Sequence, residues 1–402
     1  MNQRYKNRAI FSPCCCCSKK PLHFTIFYQL QKKVIVSVIN DLVTDQRVSK
    51  VCQSLAKMGF EILLVGRILP NSLPMDDRPY RIHRMKLVFT KGAFFYAEFN
   101  LRLFFFLLFH KADLLVANDL DTLLPNYLIS KIRRTGLVYD SHEYFTEVPE
   151  LVNRKRTQKI WKTIERNIFP KLTDVITVND SIADLYEKEY GIRLKVVRNV
   201  PLKRSGKLKP ASRQTLDIPE SKKILIMQGS GINIHRGAEE MVEAMQYIDG
   251  AVLLIVGGGD VIDKLKEIVS EKLLGEKVIF KKRQTYDKLM QFTALADLGL
   301  TLDKDTNLNY RFSLPNKLFD YIQAGTPVLA SKLPEIEKIV TTYNIGGFIA
   351  DHNPKHIAQK ISEILSNQSL IEEWKKNCTF AASQLNWENE EKVLQSVYRK
   401  YA

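Results

Sequence analysis

Ser313-Leu-Pro-Asn-Lys-Leu-Phe-Asp-Tyr-Ile-Gln-Ala-Gly-Thr-Pro327 reads as a loop that turns into a helix, stops at a glycine and leads into a strand. Pro315 suits the first turn of a helix, where a missing N–H costs nothing. Gly325 suits the left-handed position just past the helix end. This layout predicts unpaired backbone N–H groups at Asn316 and Lys317, beside the ammonium group of Lys317. A helix start of that kind attracts phosphate. Asp320 follows one turn later, placed to accept hydrogen bonds from two ribose hydroxyls. Phosphate donors and a ribose acceptor within one short segment point to a nucleotide site.

Outward from this segment, apolar strands alternate with helices. Upstream in the same half, strands are predicted at residues 223–227, 252–256, 277–280 and 298–301, and one more follows at 328–330. Near the start, residues 34–39 form a mostly apolar run of strand length, followed by Val48, Val51, Cys52, Leu55 and Met58 at helical spacing. Gly59 ends that helix and residues 61–65 form the next strand, a β-α-β unit. Further strands are expected at residues 114–117, 137–139, 175–178 and 195–197. The rhythm breaks at Asn199-Val-Pro201 and the basic, proline-containing run to Pro219, read as a linker. Alternation of this kind predicts an α/β protein with parallel sheets covered on both faces. The expected organisation is a tail over 1–31, a Rossmann-like domain over 32–200 completed by a C-terminal helix within 387–402, and a second over 201–386. The cleft between the two sheets is then the default ligand site.

At 402 residues, 45 % of them hydrophobic, the chain fits two globular domains. Its formal net charge of +16 favours anionic partners. The basic residues cluster at Arg154, Lys155, Arg156, Lys159 and Lys162, and again at Lys203, Arg204, Lys207, Lys209 and Arg213. No RNA-stacking strand, basic zipper or zinc finger accompanies them, so no nucleic-acid partner is expected. Of six cysteines, four are consecutive at Cys14–Cys17, while Cys52 and Cys378 stand alone. Adjacent cysteines make poor structural disulfides, which fits a reduced, cytoplasmic setting. The leader is basic and lacks the apolar core of a secretory signal, and reads as a disordered tail. No apolar run reaches the length of a spanning helix. Residues 94–109, FFYAEFNLRLFFFLLF, come nearest, interrupted by Glu98, Asn100 and Arg102. Two readings fit that stretch. One is a helix packed on a sheet. The other is an amphipathic helix resting on an anionic membrane with Phe95, Phe99, Phe106 and Phe109 partly exposed.

The stretch Pro315-Asn-Lys-Leu-Phe-Asp-Tyr-Ile-Gln-Ala-Gly-Thr-Pro-Val328 resembles the donor-site motif of retaining GT-B glycosyltransferases of the family 4 group. Other segments agree in order: Asn40-Asp41 with Thr44-Asp-Gln-Arg47, Asp140-Ser-His-Glu143, Asn199-Val-Pro201, and His235-Arg-Gly237. The resemblance implies two Rossmann-like domains in the GT-B arrangement, facing across a cleft. It also implies a nucleotide diphosphate sugar bound mainly by the second domain, sugar transfer with retention, and no obligatory metal or other cofactor. Asp320 matches the ribose-binding carboxylate. Arg236 matches a diphosphate-binding basic residue, and His142 a histidine that reaches the donor sugar. Two positions depart from the pattern. Phe312 stands where the family carries a further glutamate, and Ser230 where it carries a second basic residue, a charge that Lys317 is expected to supply.

The expected site therefore comprises His142, Arg236 and Lys317 for catalysis, with Gly231, Asn316 and Asp320 joining the last two for donor binding. Asp41, Asp45, Arg47 and Glu143 are placed at the acceptor side or cleft edge. A bland reading stands beside each: Asp45 suits a helix cap, and His142 a structural cap. Arg236 and Lys317 lie at helix starts, where positive charge is locally unfavourable, which favours a functional reading. Two patterns are set aside. Gly257-Gly-Gly-Asp260 lacks the third glycine of a dinucleotide fingerprint, which falls at Ile262. Asp303-Lys-Asp305 resembles a metal-binding pattern of a different fold. The expected function is sugar transfer to a glycan or lipid-linked acceptor, in cell-surface polysaccharide synthesis at the inner face of the membrane. The alternatives are a nucleotide-sugar epimerase or hydrolase of the same fold, and a non-catalytic carbohydrate-binding relative.

Overall fold

The apolar run near the start becomes strand β1 (Lys33–Asp41), with six consecutive buried residues. Side chains alternate across a strand, so β1 serves two cores. Val34, Val36 and Val38 pack with Val48, Val51 and Leu55 of the helix Gln46–Lys57. Ile35 and Ile39 pack on the opposite face with Phe95, Phe99, Leu103 and Leu107 of the helix Gly92–Phe109. The computed structural model describes residues 31–402 apart from Thr44, Asn71, Leu73, Ser205 and Lys207. The cysteine-containing leader and the expectations resting on Thr44 and Lys207 lie outside the described residues.

The first sheet continues with β2 (Glu61–Ile68), β3 (Arg81–Lys86), β4 (Leu114–Asn118), β5 (Gly136–Ser141), β6 (Asp174–Thr177) and β7 (Lys195–Val196). Its order is β3-β2-β1-β4-β5-β6-β7. The second sheet comprises β8 (Lys223–Gly229), β9 (Ala251–Gly257), β10 (Val278–Lys281), β11 (Leu298–Thr301), β12 (Val328–Ala330) and β13 (Gly346–Phe348), in the order β10-β9-β8-β11-β12-β13. Every pairing is parallel. Each sheet reverses its winding beside its first strand, at β1/β4 and at β8/β11. Ligands of open α/β sheets bind outside the carboxyl ends of the strands at these reversals.

β3 and β13 carry no apolar run and escape a reading by hydrophobicity. β3 is an edge strand, Arg-Ile-His-Arg-Met-Lys, whose charged residues protect an exposed edge. The helix Gly92–Phe109 corrects two expectations. It is 18 residues long with mean hydropathy 1.4, enough by length and composition to cross a membrane, with 22 % of it buried. Its phase also differs. Phe95 and Phe99 are buried at 4 % and 0 % exposure, whereas Phe94 and Phe109 are exposed at 72 % and 77 %. Phe106 is half-buried, stacked on His83 and His110.

The donor-motif helix spans Asn316–Ala324, with Pro315 at its N-cap, one residue before the position expected. Gly325 closes it in the left-handed conformation, φ 72°. Leu318, Phe319 and Ile322 bury their side chains against Ile224 and Ile226 of β8. Tyr321 lies across the sheet, its hydroxyl donating to the carbonyls of Leu300 at 3.0 Å and Ile226 at 3.3 Å. Gly299 leaves room for that ring: a Cβ there would stand 2.6 Å from it. The helix is thereby fixed with its start beside the carboxyl ends of β8 and β11. The final helix, Trp387–Tyr398, packs in the first sheet's core, and Trp387 donates through Nε1 to Ser54 Oγ at 3.0 Å.

Candidate active site

A cleft of about 1320 Å³ opens between the carboxyl ends of the two sheets, above the usual range for one small-molecule site. From the first half it is lined by Asp41, Asp45, Arg47, His142 and Glu143, and from the second by Gly231, Arg236, Asn316, Lys317 and Asp320. All ten residues named from the sequence thus border one space.

Arg236 sits on a tight loop after β8. His235 has φ 66° and Gly237 φ 72°, so the backbone is left-handed on both sides of it. Gly237 must be glycine, because a Cβ there would stand 2.3 Å from the Leu302 carbonyl. The loop is tied to the end of β11 by Lys304 N–H donating to the His235 carbonyl at 2.9 Å. The guanidinium lies 4.5 Å over the Tyr310 ring and donates through one terminal nitrogen to Asp303 Oδ1 at 2.9 Å. Its buried Nε has no partner among the described residues.

Lys317 approaches from the helix start, its ammonium 3.6 Å from Asp303 Oδ2. Burial lowers its pKa more than Asp303 raises it. Asp303 itself is wholly buried and also accepts from Thr301 Oγ1 at 3.1 Å. Burial pushes its carboxyl up, but Lys317 and Arg236 outweigh this and hold it below the usual range. The first carboxylate of the discarded Asp-x-Asp pattern is therefore a counter-ion that gathers two cations at the cleft wall. No side chain caps the helix Asn316–Ala324, so its N-terminal end faces the same wall with its dipole uncovered.

Asp320 is 9 % exposed and carries a hydrogen bond on each oxygen. The Tyr286 hydroxyl donates to Oδ1 at 2.9 Å, and Gln228 Nε2 to Oδ2 at 3.2 Å. Burial raises its pKa to about 6, against the opposing pull of both bonds and of Lys50.

On the first sheet's side, His142 follows β5 with both ring nitrogens engaged. Nδ1 lies 3.1 Å from Asp119 Oδ2, and Nε2 lies 3.2 Å from Asn118 Oδ1 and 3.6 Å from Asp140 Oδ2. Burial lowers its pKa, but Asp119 and Asp140 more than compensate and hold it well above the usual value. Both ring nitrogens thus face acceptor oxygens, an arrangement that favours the protonated imidazole. Arg47 is largely consumed by structure: it grips the fully buried Asp140 in a fork at 2.7 and 3.2 Å and donates to the Val197 carbonyl at 2.8 Å. Asp45 caps its helix through Val48 N–H at 3.0 Å. Asp41 accepts from Ser72 Oγ and pairs with Arg84 at 3.1 Å. These bonds fulfil structural roles for Arg47 and Asp45 at the cleft border. Glu143 differs. It accepts from Asn309 of the second half through Oε2 at 3.1 Å, and burial, then Asp119, pushes its carboxyl up to about 7.

Residues 46–201 match Glycosyltransferase Family 4 and residues 209–379 match Glycosyl transferases group 1. The chain belongs to the family 4-like GT-B glycosyltransferases. Over 264 residues it is 24 % identical to chitobiosyldiphosphodolichol beta-mannosyltransferase of Candida albicans, covering 60 % of this chain and 56 % of that protein. It spans about half the length of the relatives it matches. Among solved structures, sucrose-phosphate synthase from Thermosynechococcus elongatus superposes with a TM-score of 0.74 at 17 % identity, over 92 % of this chain and 99 % of that one. Anabaena HepE in complex with UDP-glucose gives 0.68 at 15 % identity, over the same shares.

Phe312, at the position where the family carries a glutamate, packs toward the first half. Its ring packs against an aromatic-rich core cluster of the first half, and its carbonyl accepts from Asn179 Nδ2 at 2.8 Å. It ties the two halves together at the cleft edge. Two glycines of the set-aside dinucleotide pattern, Gly257 and Gly259, are explained by close approach, whereas Gly258 has open space around it. A Cβ on Gly257 would stand 1.8 Å from the Gly229 carbonyl. Tyr286, Gln228 and Tyr310 line the cleft and Asp303 lies buried behind its wall, and the sequence reading did not select them. The one signal available for Asp303 was its place two residues after a strand, at the winding reversal.

Proposed function

We propose that this chain transfers a sugar from a nucleotide diphosphate sugar to a glycan or lipid-linked acceptor, with retention of anomeric configuration. The observation that carries this reading is the convergence of Arg236, Lys317, an uncapped helix start and the Asp320 carboxylate on one cleft. Breaking a sugar–phosphate bond leaves charge on the nucleoside diphosphate. Arg236 offers a planar fork matched to phosphate oxygens. Lys317 and the N–H groups of the helix start complete a cradle that neutralises the leaving group without requiring a metal. HepE binding UDP-glucose supports a donor of this class. The diphosphate of a lipid-linked acceptor, as named in the Candida relative, supports the acceptor class.

In the retaining course the acceptor attacks from the face that the phosphate leaves, and the diphosphate takes the acceptor's proton. One observation favours a second course. Glu143 faces the cleft with only one oxygen hydrogen-bonded and a pKa near neutrality, the properties of a general base, which would serve inversion. The exposed aromatic face of Gly92–Phe109 on a chain of charge +16 supports action at an anionic membrane surface, in surface-glycan synthesis.

The test is turnover of UDP-, GDP- and ADP-sugars with and without lipid-linked diphosphate acceptors, in EDTA, with the product anomer read by NMR. The expected result is acceptor-dependent transfer, undiminished by EDTA, with the donor's configuration kept. Conversion of donor without acceptor would indicate the epimerase or hydrolase. An inverted product with a loss of about 10²–10⁴-fold in Glu143→Gln would establish the second course.

A further inference from the structure

The first half's wall of the cleft carries a cation that the reaction scheme leaves unused. Three cationic side chains of that half line the cleft, Arg47, Arg67 and His142. Arg47 is held by Asp140, and His142 by Asp119. Arg67 has no such counter-ion among the described residues. It stands near the carboxyl end of β2, in register with Asp41 of β1. Its guanidinium lies 4.4 Å over the buried ring of Phe95 and donates to the Thr90 carbonyl at 3.4 Å. The nearby acids are engaged elsewhere or resist ionisation. Asp41 pairs with Arg84 at 3.1 Å and accepts from Ser72 Oγ and from Val43 N–H. Asp121 is buried, and burial, then Asp119 and Glu143, push its carboxyl well above the usual range. Asp76 lines the cleft as well, but is exposed. Burial lowers the pKa of Arg67, and Tyr96, Asp121 and Asp41 do not make up the difference. An arginine keeps its proton even so. A guanidinium laid flat on a ring retains its edge N–H groups for another partner, and that planar fork matches phosphate oxygens.

We propose that Arg67 holds a phosphate group of the acceptor, on the first half's side of the cleft, and so selects phosphate-bearing acceptors over neutral ones. This rests on the reading of the cleft as a site of sugar transfer and adds to it the chemistry of the second substrate. Arg236 and Lys317, on the second half, are left to the donor's diphosphate. Separate cations on the two halves give each substrate anion its own counter-charge. Arg67 also rests on the inner side of the helix Gly92–Phe109 through Phe95, and the same helix exposes Phe94, Leu101, Phe105 and Phe109. One element thus links the cation to an exposed apolar surface, which suits a phosphate joined to a lipid.

Calorimetry on the whole chain, first saturated with UDP or GDP, tests this, because the nucleotide fills the donor cradle before the probe is added. The probes are geranyl diphosphate, geraniol and inorganic pyrophosphate. Wild type should bind geranyl diphosphate more tightly than either of the others, by about tenfold or more. Arg67→Met keeps an apolar stem over Phe95 and removes the charge. It should weaken geranyl diphosphate by on the order of ten- to a hundredfold, the worth of a hydrogen bond to a charged group, and leave geraniol and nucleotide binding as in wild type. Arg67→Lys keeps a charge and should restore part of the loss. A merely structural arginine would weaken geranyl diphosphate and geraniol alike, and that result, or wild-type binding by Arg67→Met, overturns the acceptor site. Pyrophosphate bound as tightly as geranyl diphosphate assigns the cation to a free anion and overturns it too. All three outcomes leave the donor reading intact. Wild type that binds neither UDP nor GDP removes the donor reading, and the acceptor site with it.

Discussion

Asp320 sits where burial and hydrogen bonding oppose each other. Burial raises its carboxyl to about 6, and the bonds from Tyr286 and Gln228 limit the rise. Its folded pKa lies above the unfolded one. Asp320 therefore adds stability to the unliganded protein below about pH 4, and this is lost as pH rises through about 6. Nucleotide binding runs the other way, since only the carboxylate accepts from both a tyrosine and a ribose. UDP or GDP affinity should fall as pH drops through 6, more steeply in wild type than in Asp320→Asn, which shares only the nucleotide's own titration. Parallel pH profiles would show that Asp320 takes no part. At this scale the sequence was most legible where a residue broke a local rule. Arg236 and Lys317 stand at helix starts, where cations are disfavoured. The sequence around Asp303 spells a metal pattern of a different fold, whereas its partners, Arg236 and Lys317, lie on other elements and meet it only in space. Tyr286 and Gln228 follow no pattern that a single sequence exposes.

Elements were legible where one face differs from the other. The helix Gln46–Lys57 was phased correctly because its apolar residues recur at i, i+3, i+4. The helix Gly92–Phe109 was not, because it is apolar nearly all round and gives no phase. In the structure Phe95, Phe99, Leu103 and Leu107 face the sheet, and Phe94, Leu101, Phe105 and Phe109 face outward. Glu98, the interrupting acid, is occupied locally by Arg102 at 2.8 Å and by the N–H groups of Val88 and Phe89. If this face rests on a bilayer, Phe94→Ser and Phe109→Ser should each weaken binding to anionic vesicles by about tenfold or more, from the burial of a phenyl group at about 1.5–3 kcal/mol. The fold should remain unchanged, because neither side chain packs in the core. Co-sedimentation at low and physiological salt is the measurement, and wild type that stays in solution at both removes the membrane from the account.

At the scale of the whole molecule, the two sheets are joined by two chain crossings that run side by side. Trp387 N–H donates to the Pro201 carbonyl at 2.8 Å, so the return of the chain is bonded to its outward passage. Arg198 and Glu390 pair at 2.8 Å beside this point. Lys50 braces it further: its ammonium reaches Asn199 Oδ1 at 2.9 Å and the Trp387 ring at 5.0 Å. Across the cleft edge, Asn199 donates to Asn316 at 3.0 Å, Asn309 to Glu143, Asn179 to Phe312, and Ser181 to Glu335. The alternation of strands and helices announced two sheets. It carried no record of these polar ties, which depend on how the halves meet. Their consequence is a cleft whose two walls share hydrogen bonds.

The central claim is that Arg236, Lys317 and Asp320 grip one nucleoside diphosphate. Isothermal calorimetry of UDP and GDP binding to wild type, Arg236→Ala and Asp320→Ala tests it most directly. At least one of the two nucleotides should bind wild type at a single site, and each substitution should weaken that binding by on the order of tenfold or more, as expected for loss of a charge-assisted contact. Binding that both variants retain at full strength would contradict the account.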